Sequence, residues 1–199
     1  MEPRRAIAAL TAAAWAAALA CAGARTASEA AQPAELLVEV LPRDADVELD
    51  GRPLGRGGKT VPAPDASAPH VLRVSASGFA PEERTLPPES LAGARVGAAL
   101  RPEGLGGVAV DYDDGTGLAA AAAFLVGAGA ARDAADYAER AATLEPTFPL
   151  AQRALGDALR ALGHPHRAAE AWARYLELAP DAPDAPEVSR RLQEARAEP

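Results

Sequence analysis

The chain has one cysteine, one lysine, one methionine and no asparagine in 199 residues, and aromatic side chains make up 4% of it. A lone cysteine excludes an intrachain disulfide. Basic residues are outnumbered, 20 against 28, for a net charge of −8. The basic footprint that nucleic acid demands is therefore missing, as is the one needed for electrostatic docking on anionic lipid. Loss of residues 1–20 would take away Glu2, Arg4 and Arg5 and leave 18 basic and 27 acidic residues, a net of −9. The hydrophobic share of 49% and charged share of 24% suit a folded chain. Much of that hydrophobic share is alanine, which predicts thin cores. The length allows one or two small domains.

Long apolar runs are scarce as well. Ala6–Leu19 is uncharged but 14 residues long, short of the roughly 20 that span a bilayer. Behind Arg4 and Arg5 it has the form of a secretory h-region. It ends in Ala18-Leu19-Ala20-Cys21. These residues resemble the lipobox of bacterial lipoproteins, a family that prefers Leu where this chain has Ala18. The resemblance implies a lipoprotein signal peptide over 1–20 and a lipid thioether on Cys21, with the membrane as one partner. Two or more acyl chains would hold such a protein stably on a leaflet. Ala22 stands where Asp would act as an inner-membrane retention signal in enteric bacteria. The outer membrane, facing the periplasm, is thereby favoured over the inner membrane. The alternative is an ordinary signal cleaved after Ala20 or Ala24, giving a secreted or soluble periplasmic protein. Residues 21–34, small and without apolar period, read as a flexible tether.

At Glu35 the pattern changes. Leu36, Val38 and Val40 alternate with Leu37, Glu39 and Leu41, a strand period. Val47 and Leu49 alternate with acidic residues up to Asp50-Gly51, a hairpin turn signal. Residues 55–69 read as a long loop of turn formers. Strands return at Val71–Ser77 and at Val96–Leu100. Pro42, Ala45, Val47, Asp50, Gly51 and Gly55, then His70-Val71-Leu72-Arg73-Val74 and Gly78-Phe79, resemble the PEGA domain. The namesake tetrapeptide keeps only its ends here, Pro42 and Ala45. Lys59-Thr60-Val61-Pro62 also departs from the family's usual Thr-Pro. The resemblance covers residues 35–102 and implies a small antiparallel β-sandwich without established catalytic residues. His70 reads as a strand-end structural histidine, because no second ligand stands at metal spacing.

Residues 103–117 read as a linker. Asp111-Tyr112-Asp113-Asp114-Gly115 lacks the alternating acids and terminal Glu of an EF-hand loop, so a solvated linker is expected, with Asp and Thr suited to open the next helix.

Leu144-Glu145-Pro146 and Leu178-Ala179-Pro180 lie 34 residues apart (146 to 180), the tetratricopeptide period. Residues 149–182 resemble that repeat: Leu155-Gly156, Leu159 at the Tyr position, Ala168, Trp172 and Pro180 follow its pattern, while Tyr175 takes a place usually Ala. In 115–148, Ala121-Ala122 replaces Leu-Gly, and Leu125, Ala134, Ala141 and Pro146 are retained. Gly163 is expected to end a helix and Pro165 to open the next. A final helix is predicted from Pro186 to about Glu198, with Asp184 and Glu187 as a capping box and Val188, Leu192 and Ala195 as its apolar stripe.

The expected architecture is thus two-domain, β then α: the PEGA-like sandwich followed by a short tetratricopeptide-type α-solenoid over 118–199. Two repeats and a cap fall short of the three or so usually needed. Either the β domain packs on the stack, or a partner or a second copy completes it, and the last two stay open. The resemblance places a partner-binding groove on the first helix of each repeat, at Ala119, Ala123, Val126, Leu150, Arg153, Asp157 and Arg160. Carboxylate clamps in this family use Lys and Asn. The chain has no Asn, and its only Lys, Lys59, lies elsewhere, so that chemistry is not expected. His164-Pro165-His166 reads as an inter-helix turn.

Enzymatic function is not expected. No nucleophile–base constellation has a motif context. A phosphate loop at Gly58-Lys59-Thr60 would need glycine where Pro53 stands. No cofactor or metal is implied. The sequence points to an interaction scaffold for a periplasmic or outer-membrane protein. Its rival is a wall or polysaccharide module, which would need exposed aromatics on the sheet, where only Phe79 is available.

Overall fold

The computed structural model describes residues 35–91 and 93–198. The expected signal peptide (1–20), the tether (21–34) and Cys21 lie outside the described residues. Among the described residues, nine short strands precede five α-helices and form with them one compact unit.

β1 (Glu35–Leu41) turns Leu36, Val38 and Val40 inward, each at most 3% exposed. The Asp50-Gly51 turn joins β2 (Asp46–Leu49) to β3 (Arg52–Arg56), with both residues at positive φ, 52° and 73°. That is the backbone a two-residue hairpin demands. β4 (Lys59–Pro62) lies inside the stretch expected to be loop. Its flanking glycines and terminal proline hide it from a propensity reading, and pairing with β1 creates it. β5 (His70–Ser75), β6 (Phe79–Ala80), β7 (Glu82–Leu86), β8 (Arg95–Ala99) and β9 (Arg101–Pro102) complete the region.

One sheet has the order β4-β1-β8 and another β3-β2-β5-β7, while β6 and β9 form a two-stranded ribbon. β1 runs antiparallel to β4 but parallel to β8. The all-antiparallel expectation is therefore corrected. Parallel neighbours need a long crossover, and here the chain builds the entire second sheet before returning as β8.

The helices are α1 (Gly115–Gly127), α2 (Ala131–Leu144), α3 (Pro149–Ala161), α4 (Pro165–Leu178) and α5 (Ala185–Ala197). Asp114 caps α1 by accepting the Thr116 N–H at 3.0 Å. α3 starts 34 residues after α1 (115 to 149), and α4 starts 34 after α2 (131 to 165). The caps keep the same phase. After α1, Gly129 (φ 78°) and Ala130 donate to Val126 and Leu125; after α3, Gly163 (φ 79°) and His164 donate to Arg160 and Leu159. This is the Schellman pattern, formed twice. Between the helices of each pair the bulk is redistributed. Ala122 and Ala138 are both fully buried in the first pair; Gly156 and Trp172 stand 34 residues after them in the second. A Cβ on Gly156 would lie 2.3 Å from the indole Cδ1.

The β region packs on α1 and α2, so the helices are not left for a partner to cover on that side. A single apolar core runs from Leu36 through Phe79 to Tyr137 and Ala158, and a smaller one joins α3, α4 and α5 around Trp172. Phe79 is 5% exposed and stacks on Tyr137 at 6.1 Å between ring centroids. The segment expected to be a linker is also packed: Leu105 and Tyr112 are buried, and α1 begins at Gly115 rather than 118.

Candidate functional site

The residues expected to line a groove part company. Ala119 is fully buried and offers no surface, which removes it from any groove. Leu150 is exposed at the start of α3, and Ala123 is half-buried. Arg153 and Asp157 pair with each other one helical turn apart. Arg153 also donates to Asp184 at 3.0 Å. Asp157 accepts the Trp172 indole N–H at 3.0 Å and pairs with Arg191 at 3.4 Å. These two are therefore ties between α3, α4 and α5 rather than free contacts. Arg160 forks onto Glu198 at 2.6 and 3.3 Å.

Val126, Asp157 and Arg160 nevertheless meet at one cavity of about 410 Å³. Trp172 of α4 and Arg190, Arg191, Glu187 and Glu194 of α5 close it. Its charge is organised by arginines: hydrogen bonds from Arg190 and Arg191 hold the Glu187 carboxyl down at about 2. Asp184 is the N-cap residue of α5, but its side chain makes no capping hydrogen bond. The hydroxyl of Tyr175 and the guanidinium of Arg153 take its carboxylate instead. This corrects the capping-box expectation, since a charged donor and a phenol outcompete a backbone N–H for the same oxygens.

A second and larger recess, a cleft of about 750 Å³, lies where the strands meet the helices. Glu39, Val40, Leu41 and Arg43 form one side, Gly57 and Gly58 an end, and Tyr112, Glu139, Arg140, Ala142 and Leu155 the other side. Arg140 lies 4.3 Å from the Tyr112 ring centre, and Arg95 lies 5.4 Å from it. Gly97 lets the ring settle on β8, where a Cβ would approach Tyr112 Cδ1 to 2.2 Å. Burial pushes the Tyr112 phenol above its ordinary range. Arg43 pairs with Asp136 at 3.3 Å and Glu139 at 2.9 Å. Burial outweighs that charge and leaves the Asp136 carboxyl above its usual range. Sequence reasoning missed this cleft. Its only local trace is Tyr112, an aromatic inside an otherwise polar run.

His70 serves the β region. Its Nδ1 is 2.6 Å from Asp50 and its Nε2 is 2.7 Å from the Asp65 carbonyl. His164 and His166 lie at the α3–α4 turn and line a separate recess with Arg160 and Arg167. Among the described residues, no group of three or more His, Cys, Asp or Glu side chains is placed to hold a metal ion. No helix among them is long and apolar enough to cross a membrane. No protein-family model and no curated protein matches the chain.

Proposed function

We propose that the protein is a non-enzymatic envelope lipoprotein, anchored through Cys21, whose tetratricopeptide-like helix pairs dock a periplasmic or outer-membrane protein. The observation that carries this reading is the 34-residue recurrence of helix starts, positive-φ glycines and cap hydrogen bonds. A chain that repeats its caps at that interval has the anatomy of a helical solenoid, a fold used chiefly to present extended binding surfaces. The recess bounded by α1, α3, α4 and α5 is where such a surface would receive a ligand. The β region, in this reading, is a PEGA-like sandwich that departs from an all-antiparallel plan through its β1–β8 pair. The acids around the helical recess are held in ion pairs with arginines, which suits recognition better than proton transfer. Phe79, the aromatic that wall binding by the sheet would draw on, is buried.

A photo-crosslinking side chain placed at Ala161, an exposed residue on the rim of the recess, tests the proposal in intact cells. A discrete adduct to one envelope protein is expected from Ala161, and none from Val71 on the β region's surface. Absence of an adduct at Ala161, together with co-sedimentation of the full chain with purified sacculi, would overturn it in favour of wall binding.

A further inference from the structure

The arginines around the helical recess differ in how firmly they are held. Arg153 holds Asp157 and Asp184, Arg190 holds Glu187 and Glu194, and Arg191 holds Glu187 and Asp157. Among the described residues, Arg160 pairs with one carboxylate alone, that of Glu198. The two side chains are 45% and 38% exposed, and an exposed pair of this kind contributes little to stability. Glu198 is the C-cap residue of α5, with extended backbone at φ −71° and ψ 138°. Releasing its side chain from Arg160 therefore breaks no hydrogen bond of the helix backbone.

Arg160 also stands between two recesses. On one side is the helical recess, with the aliphatic Val126 and Ala161 in its lining. On the other is a recess of about 570 Å³ lined by His164, His166 and Arg167. Among the described residues, Glu198 is the one carboxylate in that second lining, because Glu139, the partner of Arg167, lies outside it. Two guanidiniums and two imidazoles, each with N–H groups to donate, thus surround a single carboxylate. An anionic group suits this place, although the chain as a whole carries a net charge of −8.

Glu198 shows the form such a group takes. Arg160 forks onto both of its carboxylate oxygens, at 2.6 and 3.3 Å, the planar two-point contact that guanidinium makes best. The contact is made by a glutamate on extended backbone, which any extended peptide can reproduce. We propose that Arg160 binds a glutamate side chain in an extended segment of the docked partner, and that Glu198 is a built-in competitor that leaves first. This rests on the helix pairs being a docking surface and is independent of the lipid anchor.

Random dodecapeptides displayed on phage are selected on the full chain and counter-selected on Arg160→Gln, and an enriched peptide is labelled for fluorescence anisotropy. The enriched peptides should share a glutamate, and its replacement by glutamine should weaken binding at least about fivefold. Glu198→Gln should bind the peptide about two- to sixfold more tightly than the wild type, the gain from removing a competitor held by an exposed ion pair. Neither result is imposed by the selection. Arg160→Gln and Glu198→Gln break the same ion pair within the chain, so a purely structural role would move binding in one direction. The proposal requires opposite directions. Arg174→Gln, at an exposed arginine of α4 paired with Glu177, should leave binding unchanged. Enriched peptides without a needed glutamate, or a Glu198→Gln variant that binds no more tightly than the wild type, would overturn the proposal. So would displacement of the peptide by an equimolar amount of inorganic phosphate, which assigns Arg160 to a phosphate ligand. In-cell crosslinking from Ala161 reads the docking function separately. An adduct that Arg160→Gln leaves undiminished keeps the docking surface and removes the role of Arg160. Glutamate-dependent peptide binding without an Ala161 adduct keeps the Arg160 site and removes the envelope partner.

Discussion

The hydroxyl of Tyr137, midway along α2, lies 3.0 Å from the carbonyl oxygen of Leu41 at the end of β1, and it also reaches the carbonyl of Leu100. One buried phenol thus joins a helix to two separate points on the strand region. Leu41 has another donor, the N–H of Leu100. The Leu100 carbonyl depends more on Tyr137. Tyr137→Phe should cost about 1–3 kcal/mol, the range for leaving a buried acceptor unpaired. Tyr137→Ala should cost more, about 3–5 kcal/mol by analogy with other large-to-small core changes. Urea unfolding followed by circular dichroism should show one transition for the wild type and for Tyr137→Phe. Separate transitions in the wild type would contradict a shared core.

Gly156 permits the second helix pair to close around Trp172. Gly156→Ala places a methyl where the indole already sits, and overpacking of this kind costs about 1–3 kcal/mol. Helix propensity favours alanine by about 1 kcal/mol, so a net loss of stability would isolate the steric effect. Trp172 is also one of only two tryptophans in the sequence, the other being Trp15. Its emission should shift red in Gly156→Ala as the buried ring is displaced. Unchanged emission with raised stability would show that the helices separate without cost.

The repeat was largely legible in the sequence because its signals are local. Gly163 and Pro165 declare a helix end and a helix start without reference to anything distant, and both helix boundaries lie there. The strand region was less so. β4 exists because β1 pairs with it, and the β1–β8 pairing joins residues such as Glu39 and Gly97 that no local pattern connects. The cleft follows the same logic, since Glu39, Tyr112 and Arg140 meet only when the helices dock. Asp184 shows the opposite failure. Its local motif was right in form, but Tyr175 and Arg153, remote partners, took the carboxylate.

His70 should titrate as a structural cation. Both of its ring nitrogens face acceptors, the Asp50 carboxylate and the Asp65 carbonyl, so both must carry protons when both bonds form. The Asp50 hydrogen bond, followed by that to Asp65, raises its pKa above 6.5. The His70 bond, with help from the Val71 N–H, lowers that of Asp50 below 3.8. Stability from the raised histidine is complete below pH 6.5 and is lost as pH rises through its folded value. Stability from the lowered Asp50 is complete above pH 3.8 and is lost as pH falls through its folded value. The clasp on residues 63–69 should therefore be tightest between pH 3.8 and 6.5. NMR titration of the imidazole should give a midpoint above 6.5, and Asp50→Asn should bring it down. A wild-type midpoint at or below 6.5 would contradict the double-donor geometry.

Asp184 holds α5 in place, and α5 supplies one wall of the helical recess. Burial and the adjoining Asp184 carboxylate raise the Tyr175 phenol to about 12, while the Tyr175 and Arg153 hydrogen bonds hold the Asp184 carboxyl below its ordinary range. Asp184→Ala removes the acceptor for both. Three linked effects are expected. Phenolate absorbance should show one tyrosine titrating at lower pH than in the wild type. Amide exchange should quicken across residues 185–197 and not across β1. Crosslinking from Ala161 should weaken, because Glu187, Arg190 and Glu194 no longer close the recess. Arg153→Ala offers an independent check: it removes the charged tie to Asp184 but leaves the phenol bond, so α5 should loosen less than in Asp184→Ala. If both variants leave exchange in α5 at the wild-type rate, the apolar contacts of Val188 and Leu192 alone hold the helix. The polar network would then be a consequence of α5 docking rather than its cause.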